Sequence, residues 1–269
     1  MAAITIRQTF TIVAPVLLFL LLTFDVQFGL VFITFLFSDV LFFLLDTNIT
    51  FRIERPGNNK LTTALWAIGG FFGFTLIAPF FVTLFVPFFG FVDQASLGVG
   101  SVIELYSQYI PFFAEIEPVL SDQPLLIFIG FGLMVTIVET IFFNGVLYES
   151  ITDLLKINTS NFNLRNIAVA FGVIPGIATA FHFSVRGIDV AATSGLLLTF
   201  LFFAIGQFIV IQRRQILDAI GMHTIANSTA IAISLGFAAL EPAIIPVIFV
   251  VIFFFIIRST SIRRIFQRN

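Results

Sequence analysis

A chain of 269 residues that is 59% hydrophobic, only 10% charged and has a mean hydropathy of +1.10 is excluded from the ordinary soluble class, where about a quarter of residues carry charge. The absence of cysteine rules out disulfides, thiolate metal sites, cysteine nucleophiles and prenylation of the chain itself. The formal charge of −2 says little as a sum, because the placement of charges along a membrane chain matters more.

A helix needs about 20 apolar residues to cross a bilayer. The apolar run at 9–45 is too long for one crossing and has Asp25 near its middle, so it reads as two spans, about 9–24 and 27–45. Asp25 then marks an external turn, and Asp39 lies within the second span. The first run follows Arg7 as a signal peptide would, but no small-residue cleavage site comes after it, so it is expected to stay as a helix. A polar loop follows, with Arg52, Arg55 and the turn-forming Pro56, Gly57, Asn58 and Asn59. A third span, about 63–90, is expected to kink or break at Pro79 and Pro87. The longest loop, about 93–123, holds Asp93, Glu104, Glu115, Glu117 and Asp122 and no basic residue. Further spans are expected at about 124–147, 166–185, 190–211, 216–237 and 241–257, followed by a basic tail suited to anionic headgroups.

Eight spans can be tested against the excess of lysine and arginine in cytoplasmic loops. With the N-terminus in the cytoplasm, the inner segments hold Arg7, Arg52, Arg55, Lys60, Lys156, Arg165, Arg213, Arg214, Arg258, Arg263, Arg264 and Arg268. Only Arg186 falls outside, and it reads as a side chain snorkelling to the outer interface. The expected fold is therefore an all-α, polytopic transmembrane helix bundle of about eight spans in one domain, 1–269, with both termini cytoplasmic. Most of the 39 phenylalanines are expected to face lipid or fill helix contacts.

Ionisable groups are costly within the bilayer, so they mark candidate sites. His182 and His223, the chain's two histidines, lie in apolar segments, and Glu139 is the carboxylate in the fourth span. Each alone is consistent with a helix-packing contact. Together with Asn227, one turn after His223 on the same face, they form a possible set on three spans. A carboxylate and a histidine can hold a water and take its proton. A second histidine and an amide can donate hydrogen bonds to the oxyanion formed when that water attacks a peptide. The same two histidines and carboxylate could instead hold Zn²⁺, although H-E-x-x-H is absent and the ligands would come from three helices. Depth leaves the membership of His182 open. Counted from the inner ends of the expected spans, Glu139 and His223 lie about 8–9 residues up and His182 about 16, a mismatch of roughly 10–12 Å.

The segments ETIFFNG, AFHF and HTIAN, in that order on separate spans, resemble the membrane-embedded CPBP (Abi) family, which includes type II CAAX prenyl proteases and bacteriocin-processing or immunity proteins. The family pattern is E-E-x-x-x-R, then F-x-x-x-H, then H-x-x-x-N. The resemblance covers about 124–238. It implies a glutamate protease of the cell membrane with a site open to the cytoplasm, no cofactor, and a membrane-associated or lipidated peptide as substrate. Membrane lipid is the other expected partner, and nucleic acid is not one. Carried over, Glu139 and His182 would activate the water, while His223 and Asn227 would stabilise the oxyanion. The chain departs from the pattern at Thr140, where the family has its second glutamate, at Asn144, where it has arginine, and at Ala178, where it has phenylalanine. Arg186, one turn after His182, is the alternative source of that cation. Phe143 and Gly145 agree with a common form of the first motif, and Phe181 lies beside His182. Two other functions stay open. One is a non-proteolytic scaffold or immunity-type protein of the same fold. The other is a proton-coupled transporter using Asp39 and Glu139, whose histidines would not converge on one carboxylate. Ser194-Gly195 only faintly resembles a rhomboid serine, lacking its wider G-x-S-x-G context.

Overall fold

The computed structural model describes residues 57–89, 128–159, 163–186 and 190–234. Every regular element among them is helical. Helix α1 spans Lys60–Phe89. Helix α2 passes without a break through a π-helical Phe128–Val135, an α-helical Thr136–Thr140, a π-helical Ile141–Leu147 and an α-helical Tyr148–Leu154. Helix α3 likewise joins Leu164–Ala168, a π-helical Val169–Val173 and Ile174–Arg186. Helices α4 and α5 span Val190–Arg213 and Leu217–Ser234. The expected spans at 9–24, 27–45 and 241–257, the acidic loop, Asp25, Asp39 and the basic tail lie outside the described residues.

Among the described residues, four helical stretches are long and apolar enough to cross a membrane: Lys60–Phe81, Gly132–Leu154, Leu164–His182 and Leu196–Arg213. Their composition explains their place in the bundle. In α1, Thr63, Ala67, Phe71, Phe74 and Ala78 are buried, whereas Leu61, Leu65, Phe72, Leu76 and Phe80 on the other side are exposed and apolar. That is the pattern of a helix whose outer face meets hydrocarbon. Only 28% of its crossing window is buried, against 72% for α2, so α2 is the enclosed helix. Helix α1 does not break at Pro79 or Pro87. In hydrocarbon an unwound segment would expose unpaired backbone groups, which costs more than the one hydrogen bond each proline removes.

Helix α5 differs from the rest. Leu217, Asp218, Ala219, Ile220, Met222, His223, Thr224, Ile225, Ala226, Ser228, Thr229, Ala230 and Ile231 are all buried. Helices α1, α2 and α4 pack on it, so neighbouring side chains and not lipid form its surroundings. Its close approach to α1 depends on Gly70, where an added Cβ would lie 2.5 Å from Ile209 Cδ1 and 2.9 Å from Met222 Sδ.

The helix ends are fixed by polar contacts. Asn163 caps α3 by accepting from the Asn166 amide at 2.8 Å. The turn between α4 and α5 places Arg214 at φ 55 and is tied down on both sides. The Arg214 guanidinium donates to the Thr159 carbonyl at 2.7 Å, next to the end of α2. Arg213 donates to Asp218 Oδ2 at 2.9 Å and to Asn58 Oδ1 at 2.7 Å, with its guanidinium 5.7 Å from the Trp66 ring centre. Asn58 donates in turn to Gln215 Oε1 at 2.7 Å, and the Gln215 amide donates to Thr63 Oγ1 and to Asp218. These contacts lock the start of α1 to the start of α5.

Candidate active site

The short α-helical piece Thr136–Thr140 lies between two π-helical segments and carries Glu139. A π turn changes which residues share a face and recurs at functional sites. Here it accompanies a dense set of inward polar groups on one helix. Thr136, Thr140 and Asn144 are buried, and Glu139 is 13% exposed.

Both histidines face this carboxylate. His182 Nε2, from α3, and His223 Nε2, from α5, each lie 3.7 Å from Glu139 Oε2. Their other ring nitrogens are engaged. His182 Nδ1 is 2.7 Å from the Ala178 carbonyl oxygen, which can only accept, so Nδ1 carries a proton. His223 Nδ1 is 3.0 Å from Thr140 Oγ1. Asn227 donates to Thr136 Oγ1 at 3.1 Å, so the amide lies one turn from His223 on α5 and one residue-face from Glu139 on α2. Glu139, His182 and His223 therefore meet around one oxygen, and Asn227 is anchored beside them to the helix that carries the glutamate.

Measured from the helix ends, the mismatch between His182 and Glu139 shrinks, while His223 stands six residues from the start of α5 at Leu217. Helix α2 continues to Leu154, well past residue 147, so Glu139 stands fifteen residues from that end. His182 stands eighteen residues from the start of α3 at Leu164. A difference of three residues is roughly 5 Å of rise, small enough for tilt to absorb.

Phenylalanine rings that fill the helix contacts here also pack on both histidines. Phe203 of α4 has its ring centre 5.5 Å from that of His182 and 5.7 Å from that of His223, while Phe202 is 4.9 Å from His223. Phe181 lies 5.4 Å from His182, and Phe143 packs on both Phe181 and Phe203. Rings in these positions exclude water and lower the local dielectric, which strengthens charge interactions at the site. Nothing in the sequence distinguished Phe202 and Phe203 from the other phenylalanines of this chain.

The residues that depart from the family pattern are also part of the packing. Thr140 meets His223, and Asn144 donates to Gln207 Oε1 at 3.0 Å and to the Phe203 carbonyl at 3.3 Å. The α2 and α4 helices are thus joined by neutral amides where the family pattern has an arginine. Among the described residues, no three His, Asp or Glu side chains are placed to share a metal ion. The side chains of Arg186 and Ser194 lie outside those described.

Residues 121–229 match the family described as type II CAAX prenyl endopeptidase Rce1-like. That stretch holds all four candidate residues and falls within a few residues of the expected start at 124. No curated protein and no solved structure matched the chain.

Proposed function

We propose that this chain, whose residues 121–229 match the type II CAAX prenyl endopeptidase Rce1-like family, is an integral, multi-pass membrane endopeptidase of that family that hydrolyses peptides at the membrane. The observation that carries this reading is the convergence of His182 and His223 on Glu139 Oε2, each at 3.7 Å. That separation is longer than a direct hydrogen bond and suits a water oxygen about 2.8 Å from each partner.

In the proposed reaction this water gives a proton to Glu139, assisted by the lone pair of His182 Nε2, as its oxygen bonds to the peptide carbonyl carbon. The carbonyl π electrons move onto oxygen. His223 Nε2–H and the Asn227 amide then donate to that oxyanion. Collapse re-forms the carbonyl, breaks the carbon–nitrogen bond and returns the proton to the leaving amine. Each donor adds rate only to the extent that it binds the oxyanion more strongly than the carbonyl it came from. No covalent enzyme intermediate is needed, and the mechanism assigns no step to a cofactor.

The surroundings support one substrate class. The site is lined by phenylalanine within an apolar bundle, which favours a lipidated or membrane-associated peptide over a soluble one. A transporter relaying protons from Glu139 to Asp39 would give no reason for two histidines to share one carboxylate. The neutral contacts of Thr140 and Asn144 favour a second reading, a non-proteolytic scaffold of the same fold.

The deciding experiment reconstitutes the full chain in lipid and measures cleavage of a prenylated peptide. Glu139→Ala is expected to abolish turnover, a loss on the order of 10³-fold or more. Unchanged cleavage in that variant would remove Glu139 from the reaction, and no cleavage by the native chain would favour the scaffold.

A further inference from the structure

The proton arrangement on the two histidines can be worked out from the contacts of one hydroxyl. Thr140 is buried at 1% exposure, and His223, which it meets, is at 5%. Four other threonines bond back along their own helix. Thr136 donates to the Gly132 carbonyl, Thr152 to that of Tyr148, Thr179 to that of Pro175 and Thr229 to that of Ile225, each four residues earlier. Thr140 makes no such bond among the described residues; its hydroxyl reaches across to α5, and His223 Nδ1 at 3.0 Å is its partner there.

This contact has two possible polarities. If Nδ1–H donated to Thr140, the buried hydroxyl hydrogen would have no acceptor, an arrangement that folded proteins rarely tolerate. If the hydroxyl donates to Nδ1, the remaining ring proton sits on Nε2, 3.7 Å from Glu139 Oε2. His182 has the opposite state. In the neutral ring its Nδ1–H, held by the Ala178 carbonyl, leaves a lone pair on the Nε2 that faces the same carboxylate.

We propose that Thr140 is a positioning residue that fixes His223 as the Nε2–H tautomer, so that the two histidines present opposite faces to Glu139, His182 as acceptor and His223 as donor. This rests on the protease reading for its consequence, because it divides the labour between water activation and oxyanion binding. Its physical content does not depend on that reading. The residue that replaces the second glutamate of the family pattern thereby supplies what a neutral histidine lacks, a partner that selects which nitrogen bears the proton. A hydroxyl does so without placing a second carboxylate beside Glu139, whose ionisation it would oppose.

The test is the ring ¹⁵N spectrum of the full chain, labelled at histidine and held in lipid nanodiscs. With two histidines in the chain, two sets of ring signals are expected, one Nδ1–H and one Nε2–H. Thr140→Ser is expected to preserve this pair of tautomers, whereas Thr140→Val is expected to shift His223 away from Nε2–H. In the cleavage assay Thr140→Val is expected to lower kcat by about tenfold or more with KM nearly unchanged, and Thr140→Ser to restore it. Two Nδ1–H rings in the native chain, or a His223 tautomer that survives Thr140→Val, would overturn the proposal. Should the valine variant fail to fold, the native and serine spectra still decide it. Opposed tautomers in a chain that cleaves nothing would uphold the role of Thr140 and sink the protease, while cleavage by a chain with matching tautomers would do the reverse.

Discussion

Replacing Asp218 by alanine removes the acceptor at the centre of the contacts that bind the start of α5. The Asp218 side chain is fully buried and accepts from Arg213 Nε at 2.9 Å and from the Gln215 amide. Neither donor is left entirely without a partner. Arg213, 20% exposed, keeps Asn58 at 2.7 Å, and Gln215 keeps Thr63 at 3.1 Å. The expected loss is one charge-assisted and one amide hydrogen bond, about 3 kcal/mol, at the low end of what breaking a buried ion pair costs. At roughly 2–4 °C per kcal/mol for a chain of this size, Tm should fall by about 6–12 °C. Asp218→Asn keeps the shape and one oxygen acceptor and should lose about a third as much. The chain has one tryptophan, Trp66, and the Arg213 guanidinium lies over it, so tryptophan fluorescence during heating in detergent reports on this region directly. A Tm for Asp218→Ala within about 2 °C of native, or equal losses for alanine and asparagine, would refute the account of this contact. Because His223 lies five residues beyond Asp218 on the same helix, cleavage should decline along with stability.

Two further substitutions probe the bundle and the site separately. At Gly70 the near atoms are the ends of the Ile209 and Met222 side chains, so Gly70→Ala should be absorbed, whereas Gly70→Leu should cost about 1–3 kcal/mol by wedging α1 from α5, measured as a lower Tm. Asn227→Ala should leave the helices assembled and reduce kcat on the order of 10²-fold if its amide binds the oxyanion; an effect confined to KM would remove it from that role.

The features legible in the sequence were those with a strong local signature. The apolar runs identified α1 to α4, and the order ETIFFNG, AFHF, HTIAN pointed to the stretch that the family match covers. What the sequence could not carry was relative height and orientation. The end of α2 was misjudged because its last turn, Tyr148–Leu154, mixes Glu149 and Asp153 with apolar residues and reads as loop. That error displaced His182 from Glu139 on paper, although the structure sets them 3.7 Å apart. Proline positions misled in the same way. Pro79 and Pro87 are local helix breakers in water, but the bilayer penalises a break more heavily. The contacts of Thr140 with His223 and of Asn144 with Gln207 join residues 83 and 63 positions apart, and no periodicity within one segment encodes such pairs.

The enclosure of α5 bears on how the protein is made. Asp218, His223, Asn227 and several hydroxyls each oppose the transfer of α5 into lipid. Its described polar partners lie on α2, where Thr136 meets Asn227 and Thr140 meets His223, and at its own start, where Arg213 and Gln215 hold Asp218. Insertion and assembly are therefore coupled for this helix, and the half of the site it carries forms only after the surrounding helices are in place. A nascent chain would hold Glu139 and His182 in the membrane before His223 reaches them, so the three-residue cluster stays incomplete until α5 is in place.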